Sequence, residues 1–136
     1  MFLETYLAQI NLGDWGLLAL RVAIGIIFIV HGTAKRSMWK MQPSEQMPAI
    51  LLWLMRVLFV VEPLAGLAIW AGLMTRLAAM ALTVVMLGAL RYKILIWKTP
   101  FTANDKSGWE FDLILLAAAM VLVTMGAGAL SLDRLF

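Results

Sequence analysis

The chain has no cysteine. That excludes disulfides, thiol redox relays and cysteinyl metal or iron–sulfur sites built from this chain. There is one histidine, His31, so the chain alone cannot place two histidines on a haem, and no metal or haem is expected from it. Charge is scarce. Only 14% of the 136 residues are Asp, Glu, Lys or Arg, against 63% hydrophobic ones. A soluble domain is nearer half apolar, so the composition points to an integral protein of the lipid bilayer. The stretch Met1 to Asp14 carries Glu4 and Asp14 but no Lys or Arg, and so lacks the basic start of a signal peptide. Its Phe2, Leu3, Tyr6, Leu7 and Ile10 recur at roughly helical spacing, which suits a short amphipathic segment lying in the membrane interface. The net charge of +3 gives no argument for nucleic acid. The basic residues sit beside apolar runs, where they read as topology signals and contacts to anionic lipid.

What is present is four apolar runs separated by short loops. They predict an all-α membrane protein, a four-transmembrane-helix bundle with the short interfacial segment before it. It forms one membrane domain over 1–136, with spans at approximately 15–33, 48–73, 77–97 and 109–130. Trp15 marks an interface, and Arg21 can snorkel back to it. Gly25 and Gly32 share a face on which another helix can approach closely. Pro48 suits a helix start. The turn Gly72 to Arg76 is tight enough to make spans two and three a hairpin. The clean apolar part of span three covers only about 21 Å, so the helix must continue through Arg91, Tyr92 and Lys93 to about Trp97. That basic pair then either snorkels or faces a polar interior.

The residue that most needs explaining is Glu62, in the middle of an apolar run and followed at once by Pro63. A carboxylate near a bilayer midplane costs several kcal/mol unless protonated, paired or wetted. Pro63 has no N–H, which leaves the Phe59 carbonyl without its helical partner and favours a kink. Arg56 lies about 120° off the face of Glu62, so the two are not an ideal intrahelical pair.

The side that holds both termini and the Gly72 turn is here the terminal side; the other is the loop side. Walking inward from the loop side, His31 and Glu110 stand at the boundary, then Asp112 and Lys93, then Arg56 and Arg91. Glu62 comes last, about 18 Å down its helix. All four helices therefore bring titratable groups to one half of the bundle, which implies a cavity open at the loop side with Glu62 at its floor. Arg91 is the best partner for Glu62 or for the Glu110/Asp112 pair, because a buried guanidinium needs a carboxylate fork. Each of these residues also has a structural reading. Glu62 and Arg91 can be a register-fixing salt bridge, His31 an interfacial cap, and Glu110 and Asp112 charges that suit a helix start. Trp53 and Trp70 mark interfaces or stack on a ring-shaped ligand. Loop-side loops carry Lys35, Arg36, Lys40, Lys98 and Lys106, and terminal-side loops Arg76 and Arg134. The positive-inside rule then places both termini on the outer side.

Four elements, in this order and at these distances, resemble the DoxX family of small four-helix membrane proteins, from Leu20 to Asp133. The first is Leu20-Arg21-Val22-Ala23-Ile24-Gly25-Ile26-Ile27-Phe28, closing on His31-Gly32 and Lys35. The second is Glu62 followed by Gly66-Leu67-Ala68-Ile69-Trp70-Ala71-Gly72-Leu73-Met74-Thr75-Arg76. The third is Gly108-Trp109-Glu110, and the fourth Gly126-Ala127-Gly128-Ala129-Leu130-Ser131-Leu132-Asp133. By this resemblance His31, Lys35, Glu62, Arg76 and Glu110 fall on family motif positions. Arg91, Lys93 and Asp112 come from the bundle argument alone.

The resemblance implies a membrane subunit linked to quinone-dependent oxidation, with quinone as the suspected cofactor. It implies a homo-oligomer or a larger membrane redox complex as the setting. The membrane expected is the prokaryotic inner (plasma) membrane. In that reading Glu62, His31 and Glu110 move protons, while Arg91, Asp112, Lys35, Arg56 and Trp70 bind the ligand, and the apolar half of the bundle holds its tail. Two other function classes stay open. One is an oligomeric transporter or channel for a small solute or proton, which intramembrane acids beside a proline suit. The other is a structural or assembly subunit, in which the charges only fix helix register.

Overall fold

A computed structural model describes residues 10–135. The amphipathic segment expected before Asp14 lies, over residues 1–9, outside the described residues. The expected all-helical fold is observed. It has four α-helices, α1 (Leu12–Ala34), α2 (Ala49–Ala71), α3 (Thr75–Arg91) and α4 (Trp109–Met125), and no strand among the described residues. Short helical turns extend two of them. Lys35–Trp39 continues α1 as a 3₁₀ turn, and Tyr92–Ile96 continues α3 with π geometry. With these extensions, three helices are long and apolar enough to cross a membrane: Leu12–Trp39, Ala49–Ala71 and Thr75–Ile96. Only 28%, 28% and 17% of their most apolar windows are buried inside the molecule, so most of their apolar surface points outward.

Helix α1 starts earlier than Trp15 because of a capping box. The Asn11 side chain accepts from the Asp14 N–H at 3.2 Å, and the Asp14 carboxylate accepts from the Asn11 N–H at 3.0 Å. That satisfies two donors that a helix start leaves unpaired. Helix α4 stops at Met125, short of the expected Leu130, because Gly126 turns to φ +79°. Glycine reaches that region without steric penalty. Helix α2 runs unbroken through Pro63.

The most extensive helix contacts are α1 with α2, then α3 with α4. The α1–α2 seam is a meeting of backbones. A Cβ added at Gly25 would lie 2.7 Å from the Trp70 Cβ and 2.8 Å from the Gly66 carbonyl oxygen. One added at Gly32 would run into the Pro63 ring. Proline here is the knob and glycine the hole, which accounts for the pair as packing residues. Between the two helix pairs lies the core, where Ile24, Phe28, Ile69, Ala79, Leu82, Ala119 and Leu122 are 0–2% exposed.

The terminal end is tied by its charges. The Asp133 carboxylate accepts from the Met74 and Thr75 N–H groups at 2.5 and 2.8 Å and so caps α3. The Asp133 N–H donates to the Gly72 carbonyl at 2.7 Å. The Asp14 carboxylate accepts from the Ala129 N–H at 2.6 Å. Arg21 does not snorkel. It is 1% exposed, and its Nη2 donates to the Leu130 carbonyl at 2.6 Å. The turn after α4 folds over the bundle end and brings that carbonyl to it.

Candidate functional site

At the loop end a cavity of about 460 Å³ opens between α2 and α3, with the end of α1 and the start of α4 closing its back. Its polar lining is His31, Lys35, Glu62, Tyr92, Lys93 and Asp112. Every helix or its extension contributes. The apolar wall comes from Leu54, Met55 and Leu58 on α2, from Val84, Val85, Met86 and Ala89 on α3, and from Trp97.

Two lysine–carboxylate pairs organise the polar side. Lys35 pairs with Glu62, whose side chain is 4% exposed, and Lys35 Nζ also donates to the His31 carbonyl at 3.2 Å. Lys93 Nζ stands 2.5 Å from Asp112 Oδ2 and reaches the Ser107 hydroxyl at 3.3 Å. Each carboxylate is more buried than its lysine: 4% against 22%, and 9% against 17%. The acids are therefore fixed in the bundle, and the ammonium groups come to them from the loop side.

Glu62 is shallower than its distance along α2 implies. It lies level with Gly32, in the last turn of α1. The first half of α2 overhangs that end and is covered by the Lys35–Trp39 turn. Arg56 holds this turn in place. Its Nε donates to the Met38 carbonyl at 3.1 Å and its Nη2 to the Met41 carbonyl at 2.9 Å, with the guanidinium 6.0 Å from the Trp39 ring centre. Arg56 thus positions Lys35 and does not line the cavity.

The remaining expected residues divide. His31, Lys35, Glu62 and Asp112 come together around the cavity. The His31 ring lies 5.5 Å from that of Phe111. Glu110 is turned away and accepts from the Thr102 hydroxyl at 2.6 Å, which closes the loop before α4. Trp70 belongs to the α1–α2 seam and is half exposed. Arg91 is exposed and makes no ion pair among the described residues, so the expected Arg91–Glu62 contact is replaced by Lys35–Glu62. The reason is angular. Arg91 and Lys93 are two residues apart and point to nearly opposite faces of a helix, and it is Lys93 that turns inward. The core of the apolar half is filled, with Ile69, Ala79, Leu82 and Leu122 at 0% exposure. Tyr92 and Trp97 were not anticipated as lining residues. The π-helical stretch after Arg91, which shifts the helical phase, is not marked by any sequence signal.

Chemically, the cavity balances two ammonium groups against two carboxylates. It offers charged donors and acceptors beside an apolar wall. A larger, shallower groove of about 630 Å³ lies at the terminal end between α3 and α4. There Asp133 is committed to main-chain N–H groups, and Arg76 donates to the Thr124 carbonyl at 3.3 Å. We therefore take the loop-end cavity as the candidate site.

Comparison with known proteins agrees on a family. The family model DoxX matches residues 16–97, a stretch that includes Lys35, Glu62 and Lys93 and stops before Asp112. A protein of Bacillus subtilis (strain 168) named "Putative oxidoreductase CatD" is 32% identical over 122 residues, covering 87% of this chain and 84% of that protein. An uncharacterized protein of Haemophilus influenzae is 30% identical over 117 residues, covering 86% and 87%. No solved structure matches the chain.

Proposed function

The chain belongs to the DoxX family of membrane proteins, and on that premise we propose that it is the membrane subunit of a quinone-linked redox system, with the loop-end cavity as its ligand site. The observation that carries this reading is the placing of two lysine–carboxylate pairs and a histidine against one apolar wall. A quinone headgroup needs donors for its ring oxygens and a route for two protons. Lys35, Lys93 and His31 are the donors. Glu62 and Asp112 hold the ammonium groups in place and relay protons from the loop side to the donors that give them to the ring oxygens. The name of the Bacillus subtilis relative, "Putative oxidoreductase CatD", supports redox chemistry over transport. Quinone reduction takes two electrons and two protons. In this reading the electrons come from a partner protein, and the chain supplies the site and the protons. The protein lies in the prokaryotic inner membrane with both termini outside and the cavity towards the cytoplasm, as its loop charges favour, within a homo-oligomer or a larger redox complex.

Mass spectrometry of the gently purified protein tests this. A retained quinone, lost in the Glu62→Gln protein together with quinone-linked electron flow, is the expected result. Protein that carries no quinone, and whose thermal stability added quinone leaves unchanged, contradicts the reading.

A further inference from the structure

The cavity sits where two consecutive helices ought to touch. Helices α2 and α3 are joined by the tight turn at Gly72, and near that turn their facing residues Ala65, Ile69, Ala78, Ala79 and Leu82 are buried at 8% exposure or less. Farther along, the facing stripes are Leu54, Leu58 and Glu62 on α2, and Val84, Gly88 and Tyr92 on α3. Each set has a four-residue spacing, which keeps it on one helix face. These stripes line the cavity from opposite sides. Val84 is 70% exposed, Gly88 is exposed as well, and both line the cavity. A Cβ added at Gly88 would meet no atom within 4 Å. Beside the glycine, Leu54 and Leu58 on α2 and Val84 on α3 are apolar, and these two helices carry Leu64, Leu67, Met80 and Leu87 on their outer faces. Such a face points to lipid.

We propose that the cavity opens sideways into the bilayer between α2 and α3, that the missing side chain of Gly88 makes the opening, and that the ligand reaches it through the membrane as a ring carrying an apolar chain. The ring lies among Lys35, Glu62, Lys93 and Asp112, and the chain leaves between Leu58 and Gly88. The core below the cavity is filled, so an apolar chain longer than the cavity leaves sideways towards lipid rather than inward. The identity of the ring rests on the quinone reading above; the opening itself does not.

Two measurements on the full chain in liposomes separate these claims. The chain has no cysteine, so a Gly88→Cys protein carries a single thiol for a nitroxide label. The label is expected to relax strongly with oxygen, which concentrates in the bilayer, and weakly with a water-soluble nickel complex. The same label at Leu122, in the filled core away from the cavity, is expected to respond to neither. A Gly88 label that behaves like the Leu122 one, or that responds mainly to the nickel complex, overturns the lateral opening whatever the ligand is. The second measurement compares a decyl-tailed quinone with the same quinone lacking the tail, on wild type and Gly88→Trp. The tailed compound is expected to bind Gly88→Trp at least about tenfold more weakly, and the tailless one to stay within about threefold. Equal, unchanged binding of both overturns the opening and leaves the quinone reading standing. A lipid-exposed Gly88 label in a protein that binds neither quinone supports the opening and overturns the quinone reading.

Discussion

The two ends of the molecule use the same residue types in different ways. At the terminal end, Asp14, Arg21 and Asp133 each bind main-chain groups: the Ala129 N–H, the Leu130 carbonyl, and the Met74 and Thr75 N–H groups. At the loop end, Lys35, Glu62, Lys93 and Asp112 bind one another around a cavity. A charge that caps a helix cannot be released without uncapping it, so the terminal end can hold the fold but cannot trade partners. A side chain paired with another side chain beside an opening can exchange that partner for a ligand. The contrast teaches where to look for function in a chain with few charges: what a charge is bonded to matters more than how deep it lies.

Substitutions can break or sharpen this contrast. The largest effect is expected at Arg21. Arg21→Ala empties a buried site and leaves the Leu130 carbonyl unpaired, which should lower stability by about 2–5 kcal/mol, as for other large buried truncations. Thermal unfolding in detergent reads this directly. Next comes Asp133→Ala, which removes the cap of α3 and should cost about 1–2 kcal/mol while leaving quinone affinity as in wild type. Loss of that affinity in Asp133→Ala would join the two ends functionally and break the contrast. Replacing Lys35 and Glu62 together, by Met and Leu, should change stability by no more than about 1 kcal/mol, since a buried ion pair exchanged for apolar groups is often neutral or better. The same double variant should lose quinone binding. If it keeps full binding and assembly, the pair is structural, and the register-fixing reading wins. The smallest effect is expected at Arg91, exposed on α3, where Arg91→Ala should stay within about 0.5 kcal/mol and leave binding untouched.

Much of the fold was legible in the sequence because apolar runs in a bilayer have little choice but to be helices. The misses were local. The run Gly126 to Leu130 is apolar enough to read as helix, yet Gly126 and Gly128 adopt φ +79° and +78° and turn it into the strap that seals the terminal end. The half-polar bundle was legible as well, since His31, Lys35, Glu62 and Asp112 do meet at the loop end. The pairing was not. Whether Arg91 or Lys93 faces inward depends on helix rotation, and the π-helical stretch at Tyr92–Ile96 alters that phase without announcing itself. The sequence places Lys35 in a loop, and the Arg56 hydrogen bonds to the Met38 and Met41 carbonyls, with Trp39 edge-on to Phe59, fold that loop back over α2. The filled core and the open side between α2 and α3 are matters of packing between helices, which hydropathy does not encode.

Titrating the full chain in lipid nanodiscs with a tailed quinone, wild type beside Glu62→Gln and Asp133→Ala, tests the assignment of the loop-end cavity most directly. The account predicts saturable binding to wild type, unchanged in Asp133→Ala and at least about tenfold weaker in Glu62→Gln. Equal affinity in wild type and Glu62→Gln, or binding that fails in Asp133→Ala alone, would contradict it.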